Sequence, residues 1–78
     1  MTPQQLAAYK EVLRLLQQAM VSKEDAAVAA DAIVKRIPVL SYDQKFKNAV
    51  AGAVKNPAVH AYLKGNSLPD SAAIIFVT

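Results

Sequence analysis

The chain has 78 residues, of which 54% are hydrophobic, and it carries a formal net charge of +3 at pH 7. This length allows one small domain, residues 1–78, with a thin stability margin, and the absence of cysteine excludes disulfides and thiolate metal sites. No apolar run approaches the roughly 20 residues of a membrane span, and MTPQQLAAYK lacks the basic and apolar regions of a signal peptide, so we expect a cytoplasmic protein that does not bind membranes.

The first predicted helix runs from about Pro3 to Val21. Thr2 is placed as its N-cap, Pro3 occupies the first helical position, and Gln5 can complete a capping box. At about 100° per residue, one half of the helix is apolar: Leu6, Tyr9, Val12, Leu13, Leu15, Leu16, Ala19 and Met20. So wide an apolar face predicts contact with at least two other helices, or with another chain.

The second predicted helix covers about Lys23 to Ile37 and begins at the cap residue Ser22. Its expected buried residues are Ala26, Ala29, Ala30, Ile33 and Ile37. Asp31 and Lys35 are spaced for an ion pair within the helix. Pro38 predicts the end of the helix, because the residue before a proline disfavours helical geometry.

Two shorter helices are predicted next, at about Tyr42 to Lys55 and Pro57 to Lys64. Ser41 and Asn56 are their expected caps, and Gly65 is the expected stop of the second one. The residues predicted to face the core are Phe46, Ala49, Val50, Ala53 and Val54 in the first helix, and Val59, Tyr62 and Leu63 in the second.

The C-terminal run SAAIIFVT fits either a short strand or a fifth short helix. The β-forming residues favour the strand, in which Ile74 and Phe76 face one side and Ile75 and Val77 the other. Such a strand needs a pairing partner, which is either IPVLS in the same chain or the same strand of a neighbouring copy. The predicted fold is therefore mainly α, a compact four-helix domain with this C-terminal apolar segment.

Nothing in the sequence indicates catalysis. His60 is the only histidine, and no carboxylate lies three or four residues from it. The six acidic residues lie mostly at helix starts or in ion pairs, and no nucleophile or phosphate-binding motif is present. We expect neither an enzyme nor a cofactor or metal site.

The favoured function is a non-enzymatic protein-binding module, such as a small adaptor, inhibitor or assembly subunit, that forms a homo-oligomer. Its apolar helix surface exceeds what one small core can cover, and exposed contiguous apolar area is typical of interaction sites. The candidate partner-binding residues are Ile74, Ile75, Phe76 and Val77.

The alternative is a small nucleic-acid-binding regulator. The second and third predicted helices resemble a helix-turn-helix in outline, and four lysines without a nearby acid lie between Gln44 and Pro69: Lys45, Lys47, Lys55 and Lys64. However, the lysines of the third helix point in different directions, and Asp43 would face phosphates. A solvated charged face is the favoured interpretation of these lysines.

Overall fold

The computed structural model describes residues 1–77. The elements, in chain order, are α1 (Pro3–Gln18), α2 (Lys23–Lys35), β1 (Val39–Leu40), α3 (Gln44–Val54), α4 (Pro57–Gly65), α5 (Ala72–Ile75) and β2 (Phe76–Val77). The predicted four-helix domain with a C-terminal apolar segment is confirmed. That segment combines the two predicted alternatives, since it is one helical turn followed directly by a short strand.

Side-chain caps define the helix starts. Thr2 and Gln5 form the complete capping box of α1, the Ser22 hydroxyl accepts from the Asp25 N–H, and Asn56 caps α4. The prediction of Ser41 as the cap of α3 is wrong, because the Asp43 carboxylate accepts from the Phe46 N–H at 3.2 Å. α3 therefore begins two residues later than predicted.

Three helices end with a left-handed residue that is not glycine: Met20, Arg36 and Ser67, with φ of 72°, 56° and 55°. In each case the N–H groups of the left-handed residue and of the residue after it donate to carbonyls of the last turn, as in a Schellman motif. This motif ends α1 before Met20. The prediction that Met20 belongs to the apolar face of the first helix is wrong, because its side chain is 91% exposed. The motif also turns Ile37 out of α2, so Ile37 is exposed and not buried as predicted.

The core lies between α1, α2, α3 and α4, and α5 packs against α2 and α3. α1 and α2 share the most extensive helix–helix contact, and Ala26, Ala29 and Ala30 are completely buried in α2, which is consistent with close approach of the two backbones. The largest fully buried side chains are Leu16, Ile33, Leu63, Ile75, Val12, Val34, Val50 and Val59.

The two short strands pair in parallel, with Val39 opposite Phe76 and Leu40 opposite Val77. The strand therefore uses the partner that the sequence offers within the chain, the IPVLS segment. Phe76 lies under the sheet, and its ring meets the Phe46 ring edge-on at 5.2 Å between centroids. β2 thus connects the end of the chain to α3 as well as to β1.

Candidate protein-binding surface

The structure divides the four predicted partner-binding residues into two pairs. Ile75 and Phe76 are buried, with 2% and 6% of their surface exposed, whereas Ile74 and Val77 are exposed. The alternation expected of a continuous strand is not observed, because the backbone changes from helix to strand between Ile75 and Phe76. Consecutive side chains at such a junction can point to the same side, and here both enter the core.

Leu40 and Val77 form the outer face of the two-stranded sheet. They are opposite each other in the parallel register, and residues paired in this way project on the same side of a sheet. Their inner neighbours Val39 and Phe76 pack into or against the core. Leu40 and Val77 remain 65% and 46% exposed, so two branched apolar side chains lie next to each other in solvent.

A shallow groove of about 550 Å³ lies between α2 and the segment that leads into β1. Val28 and Ile37 line it together with Pro38 and Val39, the residues that precede Leu40. The side chains of Val28 and Ile37 are about half exposed. We call the residues Val28, Ile37, Leu40 and Val77 the strand-side surface.

The charges beside the strand-side surface compensate each other. Asp31 and Lys35 line the same groove, and the Lys35 ammonium lies 3.2 Å from the Asp31 carboxylate. This is the ion pair that the sequence predicts. Because both side chains are substantially solvated, the pair contributes little to stability, but it leaves the rim of the groove without a net charge.

The sheet next to this surface has open edges. Within residues 1–77 it contains two strands only, so each strand is paired along one edge and lacks a strand on the other. Unpaired backbone N–H and C=O groups at a sheet edge are a template for a further strand. The exposed side chains of Leu40 and Val77 therefore lie beside unpaired strand edges.

The structure does not gather the four lysines of the alternative hypothesis into one groove. Lys45 and Lys47 are two positions apart on α3 and so point in nearly opposite directions. Lys55 caps the end of α3, and Lys64 lies in the last turn of α4. In addition, residues 36–43 between α2 and α3 contain β1 and are about twice as long as the three- to four-residue turn of a helix-turn-helix.

His60 has an acidic neighbour that its position on the helix does not reveal. The Nδ1 atom of His60 lies 3.7 Å from a carboxylate oxygen of Asp70, which follows α4 in the connection to α5. Asp70 directly precedes Ser71, the N-cap of α5. Within residues 1–77 no group of three or more metal-ligating side chains occurs.

Three residues of the strand-side surface, Val28, Ile37 and Leu40, are not among the predicted site residues, and Ile37 was predicted to be buried. Val28 carries a signal in the sequence, since it is a large apolar side chain on the side of α2 away from the alanine stripe. Leu40 carries none, because its exposure depends on the strand pairing with Val77, which lies far along the chain.

Comparison of the chain with known protein families, with curated proteins and with solved structures finds no significant match. Of the helices within residues 1–77, none has the length and apolar character needed to cross a bilayer.

Proposed function

We propose that this protein is a non-enzymatic protein-binding module that acts through the strand-side surface. The observation that carries the proposal is the coincidence of four exposed, branched apolar side chains with the open edges of a two-stranded sheet. Large exposed apolar patches are typical of interaction sites. The partner that we propose is a second copy of the same chain.

The surface has the properties that symmetric pairing requires. A two-fold axis places identical patches against each other, so a patch must be complementary to itself. Apolar side chains meet this condition, and so does a strand edge, because two identical strands related by a two-fold axis pair antiparallel. The internally paired Asp31 and Lys35 add no like-charge repulsion between copies.

Dimerisation would also extend a sheet that is marginal by itself. An isolated pair of short strands is weakly stable in water, whereas pairing across the axis gives four strands. Leu40 and Val77 of both copies would then form a continuous apolar row. Burial of these side chains would stabilise such a dimer.

The test is the molar mass in solution, measured by size exclusion with light scattering across a series of protein concentrations. We expect the mass to rise toward twice the chain mass of 8.4 kDa as concentration increases. Leu40→Glu and Val77→Glu should each keep the chain monomeric, because each places a charge in the centre of the interface. Leu6→Glu on α1 is the matched control, since Leu6 is a similarly exposed apolar residue outside the strand-side surface.

Circular dichroism on the same variants separates loss of association from loss of folding. All three replaced residues are substantially exposed, so we expect helical spectra in every case. A wild-type chain that stays monomeric at millimolar concentration would exclude the second copy as partner. Equal effects of Leu6→Glu and Leu40→Glu would argue against this particular surface.

A further inference from the structure

We propose that a second site, distinct from the strand-side surface, binds a small organic anion that carries an apolar group. A concavity of about 610 Å³ lies where the start of α1, the end of α2 and the end of α4 meet. This volume is within the usual range of small-molecule pockets. The concavity shares no lining residue with the groove at the strand-side surface.

The lining is asymmetric in charge. Arg36 is the only charged side chain that lines the concavity within the described part of the chain, and no acidic residue does. One guanidinium nitrogen donates to the Ser67 carbonyl at 3.3 Å. A guanidinium has five N–H donors, so this bond positions Arg36 and leaves most of its donors for a ligand.

The neutral polar groups of the concavity supply further donors. Within residues 1–77 the Gln4 amide and the Tyr62 hydroxyl make no hydrogen bond, while Asn66 donates to the Tyr62 carbonyl at 2.8 Å. The Gln5 side-chain oxygen is occupied by the Thr2 N–H, so its NH₂ group remains to donate. A guanidinium surrounded by amide N–H groups and a phenol matches a carboxylate better than it matches a cation.

The ends of α2 and α4 also reach the concavity, and their partial negative charge opposes an anion. The exposed carbonyls of these ends are largely occupied, since Ile37 and Leu68 donate their N–H groups back to Ala32 and Leu63. Arg36 is therefore the group on which anion binding depends. The apolar part of the ligand would pack on Ala7, Ala8 and the Tyr62 ring, which line the concavity and keep part of their surface exposed.

The experiment uses ¹⁵N-labelled full-length protein titrated with three probes: benzoate, its neutral isostere benzamide, and inorganic phosphate. We expect benzoate to shift the Arg36 Nε–H, the Gln4 and Gln5 amides and the backbone N–H of Leu68. Benzamide lacks the charge and phosphate lacks the apolar group, so both should bind more weakly. Equal affinity for benzoate and benzamide would overturn the proposal.

Two variants and one control locate the binding. Arg36→Gln should weaken benzoate binding by about tenfold or more, the factor expected when a charge-assisted contact is lost. Tyr62→Phe keeps the ring but removes the hydroxyl, and should weaken benzoate binding by a smaller factor. This variant tests the site even if Arg36→Gln perturbs the fold. Lys47→Gln removes the same charge from a different groove and should change nothing. Unchanged binding in both Arg36→Gln and Tyr62→Phe, or an equal loss in Lys47→Gln, would show that the concavity is not the site.

Discussion

At the scale of single residues, Phe76 and Val77 are adjacent apolar side chains with very different burial. Phe76 contacts Phe46 edge-on and is almost fully buried, whereas Val77 is close to half exposed. The difference arises from the sheet, which turns Phe76 toward α3 and Val77 toward solvent. Substitutions at these adjacent positions should therefore separate an effect on stability from an effect on the proposed association.

The first prediction compares these two positions. Phe76→Ala should lower the free energy of unfolding by about 3–5 kcal/mol, because it removes a buried ring and leaves a cavity beside Phe46. Val77→Ala should change it by about 0.5 kcal/mol or less, since much of that side chain is in solvent. Urea denaturation of both variants at a concentration where the protein is monomeric measures the difference. Similar losses for the two variants would contradict this assignment of the inner and outer faces.

A second prediction concerns the residue that starts α3. The Asp43 carboxylate accepts from the Phe46 N–H, while the Ser41 hydroxyl accepts from the Asp43 N–H at 3.2 Å, outside the helix. Asp43→Ala should therefore cost about 0.5–2 kcal/mol, the usual value of an N-cap. Ser41→Ala should cost less, as judged by thermal denaturation followed by circular dichroism. The reverse order would restore Ser41 as the cap.

At the scale of whole elements, the helix ends have an unusual composition. None of the left-handed positions in residues 1–77 is a glycine, and both glycines have helical or otherwise negative φ. Gly65 is the last residue of α4, whereas the left-handed residue of that end is Ser67. Glycine is thus absent where its conformational freedom would help, and Gly52 lies inside α3, where that freedom is a disadvantage.

The third prediction follows from this distribution. Gly52→Ala should raise the free energy of unfolding by about 0.8–1.0 kcal/mol, the difference in helix propensity, because an added Cβ meets no atom within 4 Å. For a domain of this size, 1 kcal/mol corresponds to about 4–8 °C in melting temperature. A decrease in melting temperature would mean that the face of α3 at Gly52 is covered in solution.

The opposite exchange is the fourth prediction. Met20→Gly should also raise the free energy of unfolding, by up to about 1 kcal/mol. A left-handed conformation costs an L-residue about 1–2 kcal/mol, and glycine avoids this cost. The greater backbone entropy that glycine loses on folding offsets only part of the gain. Met20 is almost fully exposed, so little packing is lost. Met20→Ala, which keeps the strain, is the matched control and should not raise the melting temperature.

These elements also show what a sequence can and cannot predict. The starts at Thr2, Ser22 and Asn56 were predictable because a cap acts within three residues of itself. The end of α1 was not, since nothing in Met20 marks it for a left-handed conformation. The pairing of Val39 with Phe76 and the approach of Asp70 to His60 depend on tertiary packing, so the exposed sheet face could not be located from local patterns.

At the scale of the whole molecule, the two proposed sites lie in different regions. The strand-side surface involves α2 and the two strands, while the concavity that contains Arg36 lies between the start of α1 and the ends of α2 and α4. The two proposed sites share α2 but no lining residue, so occupancy of one does not block the other by direct contact. Variants at Leu40 and Arg36 can therefore be studied independently.

The last prediction concerns the contribution of the chain end to the domain as a whole. Deleting residues 74–78 removes the β1–β2 pairing and uncovers the part of the core under Ile75 and Phe76. Burial of two such side chains contributes about 3–6 kcal/mol in total, a large share of the roughly 5–15 kcal/mol that holds a domain folded.

The truncated chain should therefore lose its cooperative thermal transition. Val77→Glu changes only the outer face, so it should keep the transition and lose only the proposed dimer. Circular dichroism melting and light scattering on the two proteins measure both properties together. A truncated chain that melts like the wild type would show that Ile75 and Phe76 do not support the core. Loss of the transition in both proteins would instead show that a charge at position 77 unfolds the domain. The outer face of β2 would then be needed for folding itself.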